Sequence, residues 1–314
     1  MIDRRTLIAA AGAALAAPVL GQALAYHLTP HMVGDGLWLI RGADAPIARD
    51  NGGAIANIAL IATDAGPVLI DAGPSLRYGE ALQALAKTLT GKPVARVYLT
   101  HLHPDHSYGD AAFAPAIVAA TPGLIATLTR DGPGFADGMY RLLGDWMRGT
   151  ELRIPAHVVS SPQEVVGGRT FRMLPLSGHS ADDLAILDEA TGTLVAGDLV
   201  FHDRAPSTPH ADLSTWRRSL DTLKGLGHRA LIPGHGPFDP TPNAAIDQTR
   251  DWIDWLDAAL RRAVTDGLDM VEAGDLPIPP RFATLAAARY ELQRSVAHFY
   301  PTLERTLLPR VDAR

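Results

Sequence analysis

The feature that most constrains this chain is a run of potential metal ligands, T-H-L-H-P-D-H, at positions 100–106. It follows an apolar stretch over 94–99, which predicts a buried strand. Side chains alternate along an extended backbone, so His101 and His103 are expected to point to the same side. Pro104 disfavours helix at the residue before it and turns the chain. A solvated, histidine-rich turn is one interpretation; the spacing favours ligands for one metal ion and for a second beside it.

Composition narrows the chemistry that such a site can use. The 314 residues include 47% hydrophobic and 20% charged residues, an ordinary balance for a globular protein. The net charge of −6 argues against binding to nucleic acid through phosphate contacts. The chain has no cysteine, so any metal must be held by its 12 histidines and by carboxylates.

Four more candidate residues lie at the ends of apolar runs or directly after a glycine. Asp71 ends the run V-L-I-D-A-G, and Asp198 ends L-V-A-G-D. His179 stands in L-S-G-H-S, and His235 stands in I-P-G-H-G. Taken singly, each is an ordinary strand-end or loop residue. Their occurrence together with the first run predicts one shared site.

These motifs, in this order, resemble those of the metallo-β-lactamase superfamily, from about Leu37 to Phe238. The resemblance implies an α+β fold, a four-layer αββα sandwich with the site at one edge. Strand-rich stretches that alternate with helical patterns suit two mixed sheets packed face to face with helices outside.

The resemblance also implies roles for the individual residues. The first metal would be held by His101, His103 and His179. The second would be held by Asp105, His106 and His235, and Asp198 would bridge the two. Asp71 would orient the site by hydrogen bonds, and Asp105 would also act as the catalytic proton acceptor.

The function implied is that of a metal-dependent hydrolase. Two zinc ions per chain would activate a bridging hydroxide, which attacks a small ester, thioester or lactone. The nitrogen and oxygen ligands suit zinc, and iron and manganese stay open. Two alternatives are a mononuclear iron persulfide dioxygenase of the same fold and a non-catalytic metal-binding accessory protein.

Several segments are candidates for contact with substrate. Asp198 at the bridging position is typical of thioesterase-like and lactonase-like members, because β-lactamases usually carry Cys or Ser there. The polar loop 42–53 is a candidate flap, and the Met- and Trp-rich stretch 137–147 is core or a wall of the groove. His202 and Arg204 follow the bridging position and either contact substrate or have a surface or turn role. A looser likeness links this region to exported hydrolases associated with quinoprotein dehydrogenases and sulfur oxidation.

Residues 1–25 resemble a twin-arginine export signal, and residues 26–314 form the predicted hydrolase domain. Arg4 and Arg5 precede an Ala-rich apolar stretch, and A-L-A at 23–25 is a cleavage pattern that predicts a mature start at Tyr26. We therefore expect a periplasmic protein without stable membrane insertion after cleavage. Its expected partner is a small-molecule substrate; the sequence gives no indication of oligomeric state.

Apolar periodicity predicts helices, and four of these predictions matter below. The first runs from Ser75 to Leu89, and Gly91 is expected to stop it. The second runs from Thr121 to Thr129, and D-G-P-G at 131–134 is expected to break it. The third covers 137–147. The last is expected to run from Phe282 towards Leu308.

Overall fold

Twelve strands form two sheets within residues 24–308, the part of the chain that this computed structural model describes. The seven strands of the first sheet are β1 (Pro30–Gly34), β2 (Leu37–Ile40), β3 (Ile58–Ile61), β4 (Val68–Ile70), β5 (Arg96–Tyr98), β6 (Val118–Ala120) and β7 (His157–Val158). The second sheet holds β8 (Gln163–Val166), β9 (Arg169–Leu176), β10 (Asp183–Asp188), β11 (Thr193–Val195) and β12 (Ala230–Ile232). The predicted signal 1–25 lies outside the described residues except for its last two positions.

Both sheets are mixed. The first follows chain order, antiparallel from β1 to β4 and parallel from β4 to β7. The second has the order β12-β11-β10-β9-β8, and only β11 and β12 are parallel. Because parallel neighbours carry their chain ends to the same edge, the loops after β4, β5, β11 and β12 can meet.

The sheets pack face to face through alternating side chains. Leu37 and Leu39 of β2 belong to one buried cluster with Met173 and Leu184 of the other sheet. The alternate residue Ile40 belongs instead to the cluster on the outer face. The period-2 pattern thus buries both faces of the strand.

Helices cover both outer faces of the sandwich. Their bounds are α1 (Leu76–Thr90), α2 (Pro104–Ser107), α3 (Pro122–Leu143), α4 (Leu213–Lys224), α5 (Ala244–Thr265), α6 (Met270–Gly274) and α7 (Ala288–Leu307). Leu82 of α1 and Leu124 of α3 pack on the first sheet, whereas Trp216 of α4 and Ile253 of α5 pack on the second. The predicted αββα sandwich is therefore confirmed.

The predicted break at 131–134 is wrong, since α3 runs unbroken through Pro133. Leu124, Leu128, Met139 and Leu143 of this helix are all buried, at spacings close to whole helical turns. Tertiary packing of this face outweighs the backbone hydrogen bond that a proline cannot make. The helix also ends at Leu143, and the stretch 144–147 is a 3₁₀ turn rather than helix.

The last helix begins later than predicted, at Ala288 instead of Phe282. The backbone of Ala286 pairs with the loop after β11 instead: its N–H donates to Asp203 O at 2.9 Å, and its carbonyl accepts from Ala205 N at 3.0 Å. Ala287 then takes a left-handed conformation with φ 57°, which no helix interior allows. In residues 24–308, none of the helices combines the length and the apolar character that crossing a bilayer requires.

Candidate metal centre

The first group of candidate ligands converges on one point. His103 Nδ1 lies 3.0 Å from His101 Nε2 and 2.9 Å from His179 Nε2. Asp198 Oδ2 lies 3.2 Å from His179 Nε2 and 3.7 Å from His101 Nε2. Ligand atoms of all four residues lie within 4.8 Å of one another, which is close enough to hold one metal ion.

The second group lies directly beside the first. His106 Nε2 is 3.3 Å from His235 Nε2. Asp105 Oδ2 is 3.4 Å from the same atom of His235 and 3.7 Å from His106 Nε2. These three residues are buried, and their ligand atoms also lie within 4.8 Å of one another. The structure therefore brings together all seven residues that the sequence predicted, in the two sets predicted.

Asp198 faces both groups with different oxygens. Its Oδ2 approaches the first group, while its Oδ1 lies 3.0 Å from His106 Nε2 and 3.3 Å from His235 Nε2. Within residues 24–308, this buried Oδ1 accepts no hydrogen bond. A buried carboxylate oxygen without a proton donor is costly unless a cation satisfies it. The donor set therefore fits metal ions on both sides of Asp198.

The loops that carry these residues demand close backbone approach. Asp198 lies in a 3₁₀ turn, Gly197–Leu199, directly after β11. A Cβ on Gly234 would come within 2.0 Å of Asp198 Oδ1. Any side chain there would displace the carboxylate, so the glycine before His235 is a requirement of the site.

Backbone carbonyls orient two of the imidazoles. His179 Nδ1 lies 3.1 Å from the carbonyl oxygen of Ser207, and His235 Nδ1 lies 2.8 Å from that of Ile55. A carbonyl only accepts, so each Nδ1 carries the proton and each Nε2 keeps its lone pair towards the centre. His103 is reversed: its Nδ1 faces the centre, and its Nε2 lies 2.9 Å from His210 Nδ1.

Asp71 and Thr100 orient two other imidazoles. Asp71 Oδ1 accepts from Thr100 N at 2.8 Å, and Oδ2 accepts from Thr100 Oγ1 at 2.8 Å and from His106 Nδ1 at 2.7 Å. Because the Thr100 hydroxyl donates to Asp71, it can only accept from His101 Nδ1, 2.9 Å away. In its neutral form, each imidazole thus presents an unprotonated Nε2 to the centre. Asp71 itself has φ 67°, a conformation that Asp tolerates better than most residues.

The electrostatics favour metal binding. Burial holds the pKa values of His101, His103 and His179 well below the ordinary histidine value, so these imidazoles are neutral at pH 7. Burial alone would raise the pKa of Asp198, but the neighbouring imidazoles, led by His235, hold it well below the ordinary carboxyl value. Neutral imidazoles beside an ionised carboxylate are the protonation states that a metal ion needs. Burial lowers the pKa of His106, but the carboxylates of Asp198, Asp71 and Asp105 outweigh it and hold this pKa well above the ordinary histidine value, so a metal ion must displace a proton from His106.

Two buried polar residues with supporting roles were missed by the sequence reasoning. Asn57 Nδ2 donates to the carbonyls of Pro233 and Gly236, at 2.9 and 2.8 Å, and so fixes the loop of His235. Asp183 accepts from the N–H of His179 at 3.1 Å, and burial raises its pKa to about 7. The signal for Asn57 was its position as a lone amide inside the apolar stretch 54–62.

A cavity of about 290 Å³ opens over both groups. Its apolar side includes Ile47 of the predicted flap and Phe135 and Met139 of α3, and its polar side includes Arg204 and Arg294. The flap and the Met-rich helix therefore both border the site, and Met139 is core filler and groove wall at once.

His202 and Arg204, on the loop after Asp198, lie in different surroundings. His202 is not among the cavity residues, and its Nδ1 lies 3.0 Å from Pro237 O. Arg204 lines the cavity and is only 2% exposed, so a surface role for it is wrong.

The sequence profile of the metallo-beta-lactamase superfamily matches residues 51–235, more than half of the chain. The protein belongs to this superfamily, whose fold and candidate metal-binding groups indicate a divalent-metal protein, and whose members are mostly hydrolases.

Two similar proteins match comparable shares of the chain. The chain is 27% identical over 184 residues to the Beta-lactamase-like protein 2 homolog of Caenorhabditis elegans, covering 58% of this chain and 56% of that protein. It is 27% identical over 202 residues to an Atrochrysone carboxyl ACP thioesterase of Aspergillus fumigatus, covering 62% and 55%. The chain thus matches little more than half the length of these two relatives.

Solved structures agree on the fold. A metallo-beta-lactamase from Pontibacter korlensis superposes with a TM-score of 0.59 at 20% identity, covering 73% of this chain and 99% of that one. Metallo-beta-lactamase IND-7 superposes with a TM-score of 0.58, also at 20% identity, covering 74% and 100%.

Proposed function

We propose that the protein is a dinuclear zinc hydrolase of a small ester, thioester or lactone. The observation that carries this is the Asp198 carboxylate, whose two oxygens face two separate sets of buried ligands. Asp198 would thus contribute one oxygen to each set of ligands, and two metal ions held there would supply the kind of pair that drives hydrolysis.

Bound zinc would supply a Lewis acid and a water of lowered pKa. The protein itself supplies the proton acceptor and the groups that orient the ligands. Asp105, buried but at the cavity wall, is the proposed acceptor of the proton that this water gives up. Asp71, Ser207 and Ile55 each accept a hydrogen bond from Nδ1 of one imidazole, which directs its Nε2 towards the centre, so binding needs little reorganisation. No serine or cysteine nucleophile is required.

The cavity supports an acyl substrate. Its apolar side, formed by Pro46, Ile47, Phe135 and Met139, suits the hydrocarbon part of an ester or thioester. The similarity to fungal proteins named as ACP thioesterases supports thioester cleavage as one form of the reaction. Asp198 at the bridging position, rather than Cys or Ser, supports esters and lactones over β-lactams.

We also infer that the protein is exported through a twin-arginine signal at residues 1–25 and works in the periplasm on a small molecule. The likeness to hydrolases associated with quinoprotein dehydrogenases and sulfur oxidation rests on the run 198–201 followed by Arg204, Pro206 and Trp216, and on the stretch 145–151. No nucleic-acid partner and no stable membrane insertion are expected.

Metal content and a substrate panel test the proposal together. The purified mature chain should contain about two zinc ions per chain and hydrolyse members of an ester, thioester and lactone panel. His106→Ala should lose one metal, and kcat should fall by about 10²-fold or more with little change in KM. His202→Ala serves as the matched control, because His202 lies on the loop after Asp198 without lining the cavity.

Two other results would replace the proposal. One iron per chain, oxygen uptake with a persulfide, and near-normal activity of His106→Ala would identify a mononuclear dioxygenase that uses His101, His179 and Asp198. Bound metal with no turnover on either the panel or a persulfide would identify an accessory protein.

A further inference from the structure

One wall of the cavity comes from a helix outside the stretch that matches the superfamily. The match ends at residue 235, whereas Tyr290 and Arg294 of α7 line the cavity over the two ligand groups. The backbone pairing of Ala286 with Asp203 and Ala205 fixes the start of this helix to the loop after Asp198. The wall is therefore built into the fold of this chain.

This wall carries more positive than negative charge. Glu291, fully buried, accepts from Arg204 Nη2 at 3.3 Å and from Arg294 Nη1 at 3.1 Å. Two guanidinium groups thus share one carboxylate. One positive charge is left over on this partly exposed wall, where a bound anion would balance it.

Both guanidinium groups have hydrogen-bond donors left over. Arg204 is 2% exposed, and its buried Nε has no acceptor among residues 24–308. In the same described residues, every hydrogen bond of the Arg294 guanidinium uses Nη1, which leaves Nη2 and Nε free. An arginine with two free, parallel donors matches the two oxygens of a carboxylate.

The distance from this wall to the reacting centre is short. Arg294 Nη1 donates to Ser207 Oγ at 3.0 Å, and the carbonyl of the same Ser207 lies 3.1 Å from His179 Nδ1. Ser207 thus connects the Arg294 guanidinium to the first ligand group. The apolar side, including Ile47 and Phe135, lies across the same cavity.

We propose that Arg294 and Arg204 form an anion subsite. The substrate is then an ester, thioester or lactone whose acyl part carries a free carboxylate in addition to the carbonyl group that is attacked. This inference rests on the proposed hydrolase function and specifies its substrate class. The carboxylate binds the arginine wall, and the scissile carbonyl lies over the two ligand groups. Arg294 is then a specificity-determining residue.

Binding of dicarboxylates to the zinc-loaded mature protein tests the subsite without relying on turnover. Succinate, glutarate and adipate are titrated calorimetrically beside their monoamides, which keep one carboxylate for the metals and replace the other by a neutral group of the same shape. At least one diacid should bind about 10-fold or more tightly than its monoamide, since a charge-assisted bidentate contact is lost in the amide.

Arg294→Ala should abolish this preference, and Arg294→Lys should keep part of it. Arg294 is half-exposed, so its replacement leaves the core intact. Arg305→Ala is the matched control, because Arg305 is an exposed arginine on the same helix that hydrogen-bonds only Thr302 within residues 24–308. The control should retain the full preference.

Equal binding of every diacid and its monoamide by the wild-type protein would overturn the subsite. So would a preference that survives in Arg294→Ala. The ester panel, run on the same preparations, separates the two proposals. Hydrolysis without a preference for a free carboxylate supports the hydrolase and overturns the subsite. A carboxylate preference in binding without hydrolysis supports the subsite and contradicts the hydrolase.

Discussion

Replacing Asp71 by Asn changes one atom of the site and leaves the backbone intact. Asn tolerates the positive φ of this position as well as Asp does. The N–H of Thr100 needs an acceptor at Oδ1, so the amide oxygen takes that place and the NH2 group replaces Oδ2. The NH2 group then faces His106 Nδ1, which at present donates to Oδ2 at 2.7 Å.

The NH2 group of the introduced Asn and the Nδ1–H of His106 would then both be donors facing each other, so the His106 proton is expected to move to Nε2, the nitrogen that faces the centre. Metal binding at Nε2 requires the tautomer with the proton on Nδ1, and in the variant this tautomer has lost its hydrogen bond to a charged acceptor. Such a bond contributes about 1.5–3 kcal/mol. Since 1.4 kcal/mol is a factor of ten, the affinity of the second ligand group for metal should fall about 10- to 100-fold.

Competition with a chromogenic chelator measures this affinity, and metal analysis at limiting zinc gives the stoichiometry. Asp71→Asn should lose one of two zinc ions first. Asp203→Asn is the matched control: it is also an Asp at positive φ, 51°, but it is exposed and hydrogen-bonds Gln248 instead of a histidine. If Asp71→Asn binds two zinc ions as tightly as the wild-type protein and the control, the tautomer argument is refuted.

Four further predictions follow from other parts of the chain. Gly138→Leu, at a helix position with open space towards the cavity, should lower kcat/KM for long acyl esters about 10-fold or more while sparing acetyl esters, as measured on a chain-length series. Chelation should lower the melting temperature, and zinc should restore it, because the metal binds only the folded state; an unchanged midpoint after verified zinc removal would contradict stabilisation of the folded state by the metal. Arg169→Met should destabilise the fold by about 3–5 kcal/mol in urea unfolding at pH 7, because it leaves the buried Asp188 carboxylate unpaired. Burial alone would raise the pKa of Asp188, but the Arg169 guanidinium outweighs burial and holds this pKa below the ordinary carboxyl value. The stability that the pair contributes should therefore be complete above about pH 4 and be lost as the pH falls below it. If Arg169→Met and the wild-type protein lose stability equally in acid, this reasoning is contradicted. Periplasmic protein should have the mass of a chain starting at Tyr26, and a full-length cytoplasmic chain would contradict export.

Local sequence predicted a helix correctly where the apolar spacing and the terminal residues indicated the same bounds. The helix predicted from Ser75 is α1, and Ser75 caps it by accepting from Tyr78 N at 3.4 Å, while Gly91 ends it at φ 72°. The breaker signal around Pro133 failed because packing of α3 against the sheet and over the cavity outweighed it. The short edge strand β8 was missed, since its residues, Gln163–Val166, alternate in burial over only four positions.

What the sequence determined was the kinds of ligand and their grouping. Histidines and aspartates at the ends of apolar strands are local features, and parallel strands carry such ends to one edge, so seven side chains could be assigned before any coordinates. Their assignment as ligands stays a prediction. Two things were decided only by the tertiary structure. The tautomers of His179 and His235 depend on carbonyls of Ser207 and Ile55, and every residue carries a carbonyl, so no side-chain pattern marks them. The charged wall over the site comes from Arg294, far along the chain, and only packing of α7 against the loop after β11 brings it there.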